Sequence, residues 1–150
     1  MATWLANLQD SALATALRSD AWAYPVLEAL HIVGLALVFG SLWFVDLRLL
    51  GWACRTMARD ALLRALLPWT LAGFGLAATS GALMFATQAS ELAVNAAFRF
   101  KLALLGLAAL NAGLLHVRGV PDDGLTRAQA GASLLIWLAV IACGRAIAYI

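Results

Sequence analysis

Four long apolar stretches dominate the sequence and limit the fold more than any other feature. A helix needs about 20 apolar residues to cross a hydrocarbon core of roughly 30 Å. The 150 residues contain four such stretches, at about 22–50, 59–88, 97–117 and 126–150. Hydrophobic residues make up 64% of the chain and charged residues 12%, so most of its surface suits lipid better than water. The sequence therefore predicts an all-α integral membrane protein, a four-helix bundle forming a single membrane domain in the lipid bilayer.

Residues 3–19 precede the first crossing and have the pattern of an amphipathic helix. They lack the cationic start of a signal peptide. We expect this segment to lie at the membrane interface as one helix; a partly ordered tail is the alternative. The apolar face of such a helix would carry Trp4, Leu5, Leu8, Ala12 and Ala16, with Gln9, Asp10 and Arg18 toward water.

Charge and cysteine content restrict the classes of partner. The net charge of +2 comes with no basic run, which excludes a typical nucleic-acid surface. Cys54 and Cys143 form no CxxC pair, and we expect both to be free thiols.

The distribution of basic residues predicts the orientation in the membrane. Loops on the cytoplasmic side are enriched in Lys and Arg, and more basic residues flank the first-to-second and third-to-fourth connections than the opposite side. We therefore expect both termini outside the cytoplasm. The first group is Arg48, Arg55, Arg59, Arg64, Arg118 and Arg127, and the second is Arg18, Arg99, Lys101 and Arg145.

The second crossing carries many small residues, which allow helices in lipid to approach closely. This face favours tight packing within the bundle and is equally compatible with a homo-oligomer. Its members are Gly73, Gly75, Ala77, Ala78, Ser80 and Gly81.

Ionisable residues inside the crossings are the strongest clues to function, because such groups are costly in lipid. Glu28 and His31 share a helix face at i, i+3, and His31 lies roughly 13 Å below the outer end of the first crossing. His116 lies about 15 Å deeper than His31, so the two histidines of one chain do not suit one haem iron. Near the other end, we expect Asp46 and Arg48 to form a local ion pair.

The residues in the outer half allow three readings. One is a haem with His31 as axial ligand and Met84 or an open position opposite; Arg99, Lys101 and Arg145 would bind its propionates. Another is Cu(I) bound by His31, Met84 and Cys143. The third is structural: His31 and Glu28 hydrogen-bond within the bundle, and the basic side chains extend to the headgroups.

Several short motifs resemble a known superfamily. They are Ala29-Leu30-His31-Ile32-Val33-Gly34, Gly40-Ser41-Leu42-Trp43, and Phe98-Arg99-Phe100-Lys101-Leu102 with Asn111. This pattern is similar to that of CopD-type copper-resistance membrane domains and HemJ-type protoporphyrinogen oxidases. The overall layout also resembles small bacterial four-helix membrane proteins, through Trp22-Ala23-Tyr24-Pro25, Glu28 and Asp46-Leu47-Arg48-Leu49-Leu50-Gly51.

The resemblance implies b-type haem, with the early histidine and the later lysine essential; here these are His31 and Lys101. The HemJ-type pattern has a further histidine near this lysine. The later helix of this chain lacks it and carries Asn111 and His116 instead. The leading hypothesis is thus a bacterial inner-membrane haem b protein in electron transfer or oxidoreduction, with a redox partner protein and both termini periplasmic. Glu28 would tune His31, and Gly81 would let the macrocycle approach the backbone. A copper or small-solute transporter and a non-catalytic subunit or assembly factor are the alternatives.

Overall fold

The computed structural model describes residues 2–147 and 149, and all regular secondary structure in this part of the chain is helical. Four of the helices, α3, α4, α6 and α7, are long and apolar enough to cross a membrane. The prediction of an all-α, multi-pass membrane protein is confirmed. The helices are α1 Ala2–Gln9, α2 Ala12–Ser19, α3 Ala23–Leu50, α4 Arg59–Thr87, α5 Ala89–Val94, α6 Ala96–Val117 and α7 Gly124–Ala146.

The N-terminal segment differs from the single helix expected over 3–19. It breaks at Asp10 and Ser11 because Ser11 caps α2, its Oγ accepting a hydrogen bond from the Ala14 N–H at 3.3 Å. Helical periodicity restarts after this break, so the expected apolar face is wrong for α2. Ala14 is fully buried, whereas Ala12 and Ala16 are exposed. The short helix α5 was also not predicted; it lies in the stretch expected to link the second and third crossings.

The described chain forms two compact units. The first contains the residues up to Val38 together with Trp69–Asn95. Its N-terminal helices attach to the end of α4 and to α5 through two hydrogen bonds to the backbone. Arg18 Nη1 donates to the Thr87 carbonyl at 2.9 Å, and Gln9 Oε1 accepts from the Ser90 N–H at 3.0 Å.

Within this first unit, α3 and α4 pack in an antiparallel arrangement through glycines. A Cβ atom added to Gly34 would lie 2.6 Å from the Ala77 nitrogen and 2.9 Å from the Gly73 oxygen. A Cβ added to Gly73 would lie 2.6 Å from Leu37 Cβ. Since real Cβ atoms never come so close to backbone, only glycine permits this contact, as expected for small-residue faces in membranes. Gly75 belongs to the predicted small-residue face but has nothing within 4 Å of an added Cβ.

The second unit contains Phe39–Pro68 and the described residues from Ala96 onward. Val45, Leu49 and Ala130 form its buried apolar cluster. Its α6–α7 hairpin is held by polar groups: Asn111 Nδ2 donates to the Gln129 carbonyl at 3.0 Å. The remaining contacts are Arg118 Nη1 to Gln129 Oε1 at 2.7 Å, Arg118 Nη2 to Asp123 Oδ2 at 2.6 Å, and the Thr126 N–H to Asp123 Oδ1 at 2.8 Å.

Two connections of the second unit lie at the same end. Arg59, at the start of α4, donates to Asp122 Oδ1 at 2.7 Å in the α6–α7 connection. At the end of α3, Gly51 adopts a φ of +77°, a left-handed conformation that suits glycine after a helix.

The prediction of an ion pair between Asp46 and Arg48 is wrong. Arg48 Nε donates instead to the Met57 carbonyl at 2.9 Å, and Asp46 is buried.

Large apolar side chains cover the outer faces of the long helices, as lipid contact requires. Ile32 on α3 is 59% exposed and Leu135 on α7 is 70% exposed. In water such exposure would be costly, whereas in a bilayer it places apolar atoms against acyl chains. Other examples on the four long helices are Trp69, Leu71, Phe74, Phe100, Leu110 and Leu114.

Candidate functional site

His31 is the best-defined polar group of the first unit. Its Nδ1 atom lies 2.9 Å from the Ala77 carbonyl oxygen and 3.2 Å from Ser80 Oγ. A carbonyl can only accept, so Nδ1 carries a proton, and a neutral ring then has its lone pair on Nε2. Ser80 Oγ donates to the Leu76 carbonyl at 2.6 Å. These contacts fix both the tautomer and the orientation of the imidazole.

Gly81 makes room for this imidazole. A Cβ atom added to Gly81 would lie 3.0 Å from His31 Cε1, 3.3 Å from Nδ1 and 4.0 Å from Nε2. The ring therefore packs edge-on against the α4 backbone, with Nε2 the ring nitrogen farther from Gly81. From the sequence, Gly81 was expected to let a haem macrocycle approach the α4 backbone. In the structure, the His31 side chain lies against Gly81.

The small residues facing α3 follow one stripe of α4. Gly73, Ala77 and Gly81 are spaced at four-residue intervals, which places them on one face of the helix. The first two contact α3 backbone and the third contacts the histidine ring. The same pattern that lets the helices approach thus also seats His31.

Two other predicted residues of the first unit lie near this stripe in sequence. Met84 follows Gly81 by three residues on α4 and is half-buried, whereas Glu28 precedes His31 by three residues on α3 and is exposed. At i, i+3 spacing each shares a helix face with its neighbour.

The predicted propionate-binding residues lie in the second unit. Lys101 Nζ, on α6, is 3.7 Å from the position that a Cβ atom would take on Gly144. The Cys143 thiol is close enough to Lys101 for an electrostatic interaction. Arg145 Nη2 donates to the Tyr149 hydroxyl at 2.6 Å, and its Cζ lies 4.9 Å from the Tyr149 ring centroid. Arg99 lies in the first turn of α6 and is exposed. The Arg145–Tyr149 pair was not predicted from the sequence, although its i, i+4 spacing is a signal that could have indicated it.

Metal-binding groups and thiols were both predicted from sequence. Within residues 2–147 and 149, no group of three or more His, Cys, Asp or Glu side chains could hold a metal ion. A haem iron does not need such a group, because the porphyrin supplies four ligands and the protein only the axial ones. Cys54 and Cys143 are free thiols, which confirms the cysteine prediction.

Sequence reasoning missed the importance of Asp46. This carboxyl is only 3% exposed, and Ser133 of α7 is a polar side chain close to it. The available signal was its position between Val45 and Leu47, four residues before the end of a very apolar helix.

Comparison with models of protein families, with curated proteins and with solved structures found no match to this chain. Its function is therefore inferred from the geometry of its own residues.

Proposed function

We propose that this multi-pass membrane protein binds b-type haem through His31 and takes part in electron transfer or oxidoreduction. The main observation in support is the hydrogen bond from His31 Nδ1 to the Ala77 carbonyl. Histidines that ligate metals commonly donate their other ring N–H to a carbonyl or carboxylate, which sets the tautomer and raises the basicity of the ligand atom. His31 has this arrangement inside an apolar helix pair, where a histidine carries a cost that function would justify.

The residues of the first unit fit the chemistry of a haem in two respects. The tautomer of His31 puts the lone pair on Nε2, the atom that would bind iron. Met84, three residues after Gly81 on α4, would offer a thioether as a second ligand. The role of Lys101, Arg99 and Arg145 in binding propionates stays a prediction. When bound, the haem supplies one-electron redox chemistry; the chain's own residues hold and orient it.

The first test is a visible spectrum, oxidised and reduced, of detergent-purified protein made with adequate haem supply. We expect a Soret band with sharp reduced α and β bands in the wild type, loss of these bands in His31→Ala, and retention in His116→Ala. His116 is a matched control because it is the other histidine of the sequence and is exposed in the last turn of α6. Far-ultraviolet circular dichroism of each variant verifies that the helices form.

Two results would reject the proposal. Haem retained in His31→Ala would remove His31 as the ligand, and a colourless wild type would remove haem. Bound copper in a colourless protein would favour the copper-binding alternative. Absence of any cofactor together with tight co-purification of a partner would favour a subunit or assembly factor.

We further propose that the membrane is a bacterial inner membrane and that both termini are periplasmic. The Arg59–Asp122 contact supports this topology, because it joins the two connections that carry the excess of arginine. In a Cys143→Ala background, Cys54 should resist a membrane-impermeant maleimide in intact spheroplasts and react after lysis. Equal labelling before and after lysis would contradict the orientation.

A further inference from the structure

A carboxyl group is buried in the second unit, near the end of α3. Asp46 is 3% exposed, and its Oδ2 atom has no hydrogen-bond partner among the residues that the structure describes. The Ser133 hydroxyl on α7 lies close enough to this carboxyl to interact with it. The carboxyl group thus has one polar neighbour, Ser133, and a buried oxygen that accepts no hydrogen bond from the described residues.

Asp46 lies beside the apolar core of the second unit in sequence. Its neighbour in sequence Val45 forms a buried cluster with Leu49 and Ala130. Around that cluster pack leucines of α3, α4 and α6 together with Val120. The flanking segments contribute Leu50, Leu63, Leu66 and Leu115.

Among the residues that the structure describes, no charged side chain forms an ion pair with Asp46. The ion pairs found in the described chain join Arg59, Arg118 and Arg127 to Asp122 and Asp123. Arg48, the closest cation in sequence, is bonded to the Met57 carbonyl. The other helices of this core also carry ionisable residues near their core positions in sequence. These are Arg64 on α4, His116 on α6 and Arg127 on α7. None of the three interacts with the Asp46 carboxyl.

An ionised carboxylate is far more costly in such a place than a neutral acid. Burial of an unpaired charge removes its hydration without replacing it, and groups in this situation bind a proton instead. The neutral acid loses at most a hydrogen bond at Oδ2 and can itself donate to the nearby Ser133 hydroxyl.

We propose that Asp46 is an intramembrane proton-binding site, which holds a proton at neutral pH and shares a hydrogen bond with Ser133. Release of the proton would require α3 and α7 to open this core to water or to a cation. Asp46 therefore belongs to the class of membrane carboxyls that take up and release protons with a change in helix packing. The proposal is independent of haem binding, since it involves none of the residues assigned to that site.

The test is infrared spectroscopy of the full-length protein in lipid nanodiscs at pH 7. A protonated carboxyl has a C=O stretching band well separated from that of a carboxylate. We expect this band in the wild type, its loss in Asp46→Asn, and its retention in Asp60→Asn. Asp60 is a matched control because it is an exposed aspartate in the first turn of α4. A spectrum without the band, or a band that persists in Asp46→Asn, would overturn the proposal.

A second measurement uses the wild type alone and so does not depend on folding of the variant. Dicyclohexylcarbodiimide enters membranes and reacts with protonated carboxyls in apolar surroundings. Mass spectrometry should find its adduct on the peptide that contains Asp46, with faster labelling at lower pH and no protection by Na⁺. Absence of the adduct would count against the proposal, and protection by Na⁺ would replace the proton with a cation as the ligand.

Discussion

The α3–α4 contact of the first unit and the α6–α7 hairpin of the second join helices in different ways. At Gly34 and Gly73 the two backbones touch, with no side chain between them. In the hairpin, side chains cross the gap: Asn111 donates to the Gln129 carbonyl, and Arg118 donates to the Gln129 side chain. Lipid tails are as apolar as leucine, so helices in a bilayer gain little from burying apolar area against each other.

The comparison shows which substitutions each contact tolerates. Backbone contact depends on the absence of atoms, so it fails when a single methyl group is added. Polar contacts depend on the presence of one donor and one acceptor, so they weaken when either is removed, while the helices can still pack. The three predictions below test this difference.

The largest effect is expected for Gly34→Ala. The added Cβ would lie 2.6 Å from the Ala77 nitrogen, so α3 and α4 must separate. Overpacking of this kind costs about 1–3 kcal/mol. We expect that loss in the free energy of unfolding, measured by circular dichroism during titration with a denaturing detergent.

Gly75→Ala is the matched control for this prediction. It makes the same change on α4, but nothing lies within 4 Å of the added Cβ. Because alanine favours a helix over glycine by about 1 kcal/mol in water, this variant should be neutral or more stable. Equal destabilisation by both substitutions would show that the glycines matter for the helices themselves and not for their contact.

A smaller effect is expected for Asn111→Leu, which removes the donor to the Gln129 carbonyl. Hydrogen bonds between helices in membranes contribute about 0.6 kcal/mol on average. The same detergent titration should show a loss of about this size. Asn7→Ala is the control, since Asn7 is exposed on α1 and should leave stability unchanged. A loss as large as that of Gly34→Ala would contradict the difference drawn between the two contacts.

The smallest effect concerns pH and the connection between α6 and α7. The hydrogen bond from Arg59 lowers the pKa of Asp122, and the hydrogen bond from the Thr126 N–H lowers the pKa of Asp123, both from an ordinary value of 3.8. A lowered folded-state pKa gives stability that is present above pH 3.8 and is lost as the pH falls through the lowered value.

The thermal unfolding midpoint should therefore decrease slightly below about pH 4. The double variant Asp122→Asn, Asp123→Asn should have a lower midpoint at pH 7 and a flatter pH profile in the acid range. An acid profile identical to that of the wild type would show that neither carboxylate contributes to folding.

Much of the fold could be predicted from the sequence because lipid imposes a simple rule. A backbone in hydrocarbon must satisfy its own hydrogen bonds, so a long apolar stretch has to be a helix. The first crossing was expected at 22–50 and α3 spans Ala23–Leu50; the third was expected at 97–117 and α6 spans Ala96–Val117. Outside the long apolar stretches this rule does not apply. The break at Ser11 and the helix α5 lie there, and neither was predicted.

The candidate site was predictable only in part. The sequence identifies His31 as a polar group inside an apolar helix, and it identifies Gly81 as one of many small residues. It does not say that the imidazole lies against Gly81 with Nδ1 on the Ala77 carbonyl, because that depends on how two helices pair. Asp46 is a similar case: its expected partner was Arg48, two residues later, whereas in the folded chain its polar neighbour is Ser133, far along the sequence.

The sequence by itself determined that this protein has four membrane-crossing helices, since apolar length and the need to satisfy backbone hydrogen bonds depend on local composition alone. Tertiary structure decided which polar groups are paired and which are left in apolar surroundings. Helix register sets those pairings, and register depends on where glycines allow backbones to touch and where a side chain such as Asn111 reaches across. For that reason the hydrogen-bond partners of the histidine and the surroundings of the buried carboxyl are known only from the folded chain.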